Sequence, residues 1–194
     1  MSPNTSDCSL APRRLHIALD FLTTPRWVEL TPSAAAAREM VRITAPDLRA
    51  AQRATTDIHA NARRTGDKVA VLVDVDAMIA EDARTAMVQM DRYDARTGGP
   101  TRPGSLRYVG TPGGLAGLIG DVFTAGVADG VTLRPLSPNT FEHFLDCTLP
   151  ALARFGVTVD PTRIRLLEGC RRRHRAARAT ATPTRSRLPA TYSA

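Results

Sequence analysis

The chain has 194 residues, 43% of them hydrophobic, with 26 basic and 19 acidic side chains and a formal charge of +7. That length is enough to bury one domain core. Met1–Leu10 is polar and no apolar run approaches the roughly 20 residues that span a bilayer, so neither a signal peptide nor a membrane helix is expected, and the cytoplasm is the expected location.

The charge is confined to one end. Arg171–Ala194 holds seven arginines and no acid, while the other 170 residues carry 19 basic and 19 acidic side chains. Residues 157–194 therefore read as an Arg-rich, largely disordered tail, too poor in large apolar residues to bury a core. Such a tail can hold nucleic acid through phosphate contacts. With Tyr192 as its one aromatic it has no stacking platform, and nucleic acid is not the expected partner.

In chain order, residues 1–25 contain one candidate strand, Leu15–Leu22, and Trp27–Pro32 (WVELTP) is a second. Ala34–Thr44 and Asp47–Arg64 are Ala- and Arg-rich and are predicted helical, with Pro46 separating them. Val69–Val75 is an almost unbroken apolar run with four valines, the pattern of a strand covered on both faces. Glu81–Ala95 is predicted as a helix, acidic at its start, with Ala83, Ala86, Met87 and Met90 facing inward.

From Tyr108 the chain reads as turn, helix, strand, loop and helix. Leu115, Leu118, Ile119, Val122 and Phe123 make one apolar stripe. Thr111 is placed to cap it, Pro112 suits the first helical position and Gly126 the left-handed end. Gly130–Arg134 is a short strand, ended by Pro135 and Pro138. Phe141, Phe144, Leu145, Leu149 and Leu152 form a second stripe, with a kink expected at Pro150. Strands near Trp27, Val71 and Thr132 thus define three βα units of a parallel α/β fold.

The wording of this region resembles a known family. GTP before an apolar helix, then AGVADGVTLRP, then an apolar helix ending LPALARFG, is similar to the C-terminus of the luciferase-like flavin-dependent monooxygenases, in the nitrilotriacetate and sulfone monooxygenase branch. Val131 stands where that branch commonly has an aromatic residue. The resemblance covers residues 26–156 and is specific in Gly110–Pro135. It implies a partial (β/α)8 TIM-type barrel. A whole barrel takes about 250 residues, so five units have no counterpart and a truncated or fragmentary enzyme is expected.

The resemblance further implies reduced FMN or deazaflavin F420 as cofactor, insertion of oxygen from O2 into an organic substrate, and a separate flavin reductase. The family's flavin cradle comes from earlier strands, so no catalytic or flavin-binding residue carries over. The alternative is a non-catalytic α/β fragment that acts through a second copy or a partner chain completing the barrel.

In a barrel the site is built at the C-terminal ends of the strands. Those positions are Thr31 and Pro32, Asp74 to Met78, and Arg134 to Pro138. Arg134 could pair with a phosphate or carboxylate. Asp74 and Asp76, two apart on one strand, could share a face as an acid/base pair or cap the following turn. Cys8, Cys147 and Cys170 form no CxxC pair, and Cys147 is expected to be buried. The four histidines lack ligand spacing, so no metal is expected. Gly110, Gly113, Gly114 and Gly117 are spaced GxxGGxxG, which is not a dinucleotide fingerprint.

Overall fold

The computed structural model describes residues 14–21, 26–32, 39–99 and 104–180. It contains one curled half-barrel sheet of six strands. These are β1 (His16–Phe21), β2 (Arg26–Glu29), β3 (Glu39–Ile43), β4 (Val69–Ile79), β5 (Leu106–Gly110) and β6 (Gly130–Pro135). The spatial order is β2-β1-β6-β4-β3, with β5 also on β4. All neighbours are parallel except β1 and β2.

β4 organises the sheet. One of its edges pairs with β6 through Leu72–Ala77. The other is shared end to end, Val69–Val73 with β3 and Val75–Ile79 with β5. Every residue of β4 after Val69 is buried, as its valine-rich run predicts.

The helices are α1 (Leu48–Thr65), α2 (Ala83–Thr97), α3 (Pro112–Thr124), α4 (Pro138–His143), α5 (Leu149–Ala151) and α6 (Pro161–Thr180). Local chemistry sets their starts. Asp47, Asp82, Thr111 and Ser137 are N-caps whose side chains accept from the backbone N–H three residues on. Thr111 and Pro112 behave as predicted, and Gly126 takes φ 67° after α3. Pro150 shows its effect one turn early. Phe144–Thr148 widens into a π-helical turn in which Leu149 N–H reaches Phe144 O, because proline breaks the normal ladder at that point.

The two faces of the sheet differ. Ile17, Leu19, Val73, Val75, Val131 and Leu133 face the main core, with Ala51 of α1, Leu115 and Ile119 of α3, and Phe141, Phe144 and Leu152 beyond. The opposite face carries Ala18, Leu72, Asp74, Asp76, Thr132 and Arg134, and α2 lies on this side. Met90 and Tyr93 pack on Met78 and Leu136, and Asp94 pairs with Arg107 of β5.

Handedness explains the placement. The step from β3 to β4 runs one way across the sheet and the step from β4 to β5 runs back. Right-handed crossovers then put α1 and α2 on opposite faces, and the third step, from β5 to β6, returns α3 to the side of α1. A closed barrel advances one way only and keeps every helix outside. Here α2 covers the face that a barrel turns inward.

Several expectations are corrected. Glu39–Ile43, predicted within the helix Ala34–Thr44, is a strand, because a parallel edge of β4 is available to Met40 and Arg42. Residues 33–38 lie outside the described set. The strand near Trp27 is antiparallel and begins no βα unit. The stretch from Tyr108, read as beginning with a turn, instead begins inside β5, Leu106–Gly110. The parallel units are therefore those of β3, β4, β5 and β6, with β1 inside the sheet, between β2 and β6, rather than outside the barrel region. On α2 the inward residues are Ala86, Met90 and Tyr93, while Met87 is 61% exposed. Cys147 is exposed.

The tail differs too. Residues 161–180 are helical, Leu167 is buried, and Val157, Val159 and Ile164 pack against the core. Arg171 pairs with Glu142 and, through two contacts of 2.8 and 2.5 Å, with Asp146. Its carboxylate partners compensate a charge that composition alone assigns to solvent. Residues 181–194 lie outside the described set.

Candidate functional site

Asp74, Asp76 and Arg134 share the inward face, brought together by the register that aligns Asp74 with Thr132 and Asp76 with Arg134. They lie inside their strands, since β4 continues to Ile79, so the carboxylates cap no turn. Arg134 is fully buried, Asp74 and Asp76 nearly so. Its Nη1 donates to Asp74 Oδ2 at 3.2 Å, and its Nε makes an ion-pair contact of 2.8 Å with Asp76 Oδ1. Among the described residues, Nη2 is buried without a hydrogen-bond partner.

Two further strands extend this network. Arg42 of β3 donates from Nε and Nη2 to the two oxygens of Asp74, at 3.1 and 3.0 Å, and from Nη2 to Asp20 Oδ2 of β1 at 2.7 Å. Ser105 Oγ donates to Asp76 Oδ2 at 2.6 Å. Burial pulls the Arg42 guanidinium down, but the bonds to Asp74 and Asp20 outweigh it, and the group stays protonated with a pKa above its ordinary value. At the rim, the hydrogen bond from Arg107 holds Asp94 below the usual carboxylate range.

Every charge in this arrangement has an opposite partner. Arg134, the cation placed to meet a phosphate or carboxylate, already has two carboxylates, and each carboxylate already has an arginine. Sequence reading misses Asp20, Arg42 and Ser105. The one available signal is the alternation of Met40 and Arg42 with Val41 and Ile43, masked by Ala-rich residues just before it.

Thr31 and Pro32 belong elsewhere. Because β2 runs antiparallel, they sit at the N-terminal ends of the parallel strands, far from Arg134–Pro138. Thr31 Oγ1 donates to Glu29 Oε1 at 3.1 Å, and that oxygen lies 3.0 Å from His16 Nδ1. Among the described residues no group of three or more His, Cys, Asp or Glu could hold a metal ion. No described helix is long and apolar enough to cross a membrane.

No protein-family model matches the sequence, and no curated protein matches it. Solved structures do match. The EDTA monooxygenase EmoA from Chelativorans sp. BNC1 is 18% identical over 62% of this chain and 43% of its own, with a TM-score of 0.51. DmoA from Hyphomicrobium sulfonivorans is 17% identical over 63% and 38%, also at 0.51. Riboflavin lyase RcaE, solved with a modified FMN and riboflavin, is 18% identical over 68% and 43%, again at 0.51. The chain spans less than half the length of each. At these identities the likeness concerns the fold, and the chain has the fold of the luciferase-like monooxygenases over part of a (β/α)8-type barrel.

Proposed function

We propose that the chain is a portion of a luciferase-like flavin-dependent monooxygenase barrel that is not catalytic by itself. In the complete protein the cofactor is reduced FMN or deazaflavin F420, reduced by a separate flavin reductase, and the reaction inserts oxygen from O2 into an organic substrate. The setting is cytoplasmic. A second copy or a partner chain supplies the strands that complete the barrel.

The observation that carries the non-catalytic reading is the state of the inward face. A flavin phosphate needs accessible donors, and here Arg134 is fully buried and ion-paired with Asp74 and Asp76, with α2 packed on the same side of the sheet. The described residues do not fit a flavin, so no step of the chemistry is assigned to them. The fold likeness supports the lineage.

Titration of the purified chain with FMN and with F420, followed by the visible flavin band and by Tm, tests the reading. Neither signal is expected to change. A shifted band with a rise in Tm would make the isolated chain a flavoprotein and overturn it. Sedimentation velocity tests the partner: a dimer is expected, and a monodisperse monomer would contradict self-completion.

A further inference from the structure

A groove of about 710 Å³ opens at the C-terminal ends of β4 and β6. One wall is α2, which presents Gln89, Arg92 and Arg96, spaced by three and four residues and so on one helix face. The apolar lining comes from Met78 of β4, Ala95, and Pro138 of the turn into α4. No acidic residue among the described residues lines it.

Topology makes this place special. The helix after β4 goes to one face of the sheet and the helix after β6 goes to the other: Met90 and Tyr93 of α2 pack on Met78, whereas Phe141 of α4 belongs to the opposite core. The two chain segments part above the junction of adjacent strands and leave a crevice. In open α/β sheets ligands settle in that crevice, outside the carboxyl ends of the strands where the connection direction reverses. A closed barrel has no such reversal, so this crevice follows from the arrangement of β3, β4 and β5 found in this chain.

The lining states the ligand chemistry. The sheet arginines Arg42, Arg107 and Arg134 all face carboxylates. Arg92 and Arg96 have no carboxylate partner among the described residues, and Arg96 Nε donates to the Arg92 carbonyl at 3.3 Å, which ties its guanidinium along the helix. Two uncompensated guanidinium groups beside an apolar floor suit a small molecule with an anionic head and a flat apolar body. The volume lies within the range of small-molecule pockets, about 300–1,000 Å³.

We infer that the crevice between α2 and the β6–α4 turn is a binding site for a phosphate- or carboxylate-bearing small molecule with an apolar body, its anion held by Arg92 and Arg96. The site lies at the C-terminal end of the face that α2 covers, is lined by none of Asp74, Asp76 and Arg134, and does not rest on the flavin reading.

The test uses the full chain, with 1-naphthyl phosphate and 1-naphthol as probes, titrated by calorimetry. Naphthyl phosphate is expected to bind, and naphthol to bind more weakly. Arg92→Gln with Arg96→Gln should weaken naphthyl phosphate about tenfold or more and leave naphthol unchanged. Both arginines are exposed, so Tm should stay at the wild-type value. Ala95→Trp, which fills the groove from an exposed helix position, should abolish both. Equal naphthyl phosphate affinity in the wild type and the double variant would overturn the inference, as would no binding by the wild type. FMN also carries a phosphate and a flat ring, so the FMN titration is repeated on the Arg92→Gln/Arg96→Gln variant: flavin bound by the wild type and lost in the variant reports the crevice, and flavin bound equally by both reports a separate flavin site.

Discussion

Replacing Arg134 by Met tests the inward-face network most directly. The exposures of Arg134, Asp74 and Asp76 side chains are 0%, 4% and 6%. Water therefore cannot screen a carboxylate left without its cation. Asp74 keeps Arg42 in the variant, but among the described residues Asp76 keeps the Ser105 hydroxyl and the more distant charge of Arg107, itself bound to Asp94. Removing one partner of a buried pair costs about 3–5 kcal/mol. For a chain of this size that lowers Tm by about 2–4 °C per kcal/mol. Denaturant unfolding of the wild type, Arg134→Met, Asp76→Asn and the double variant gives the cycle. The double variant should recover much of the loss, since the orphaned charge is gone. A cost for Arg134→Met below about 1 kcal/mol, the range of an exposed pair, would refute the reasoning.

Gly130→Ala should lose about 3 kcal/mol in the same assay, because a Cβ there would stand 2.0 Å from the His16 carbonyl oxygen and the β1–β6 pair would have to separate. Asp82 and Asp94 have native pKa values below their ordinary ones, from the Thr85 backbone N–H and from Arg107. The unfolded chain therefore binds these protons first. The stability the two acids add is present above the ordinary carboxylate pKa, about 4, and is lost as pH falls through the native values, which a Tm series from pH 6 to about pH 3 will show. A chain ending at residue 180 should melt like the full protein. One ending at residue 160 should melt lower and bind a hydrophobic dye, because Leu167 and Ile164 leave the core and the Arg171 contacts to Glu142 and Asp146 are lost.

Periodicity and capping are local, and they were legible in the sequence. Thr111, Pro112 and Gly126 bracket α3 through their own backbone chemistry. The valine run of β4 announces a strand buried on both faces, and the stripe from Phe141 to Leu152 marks the helical segment that covers one of them. The Gly110–Pro135 wording also points to the luciferase-like barrel fold. The rest depends on residues far apart in the chain. Glu39–Ile43 has no strong strand pattern, and it extends because an unpaired edge of β4 about 30 residues later offers its hydrogen bonds. The fate of Asp74, Asp76 and Arg134 depends on a register set 60 residues apart. The side taken by α2 follows from which edge of β4 receives β5, and that single choice both closes the inward face and opens the crevice beside Arg92 and Arg96. Strand order is set by burial and pairing over the whole sheet, so no window of the sequence contains it.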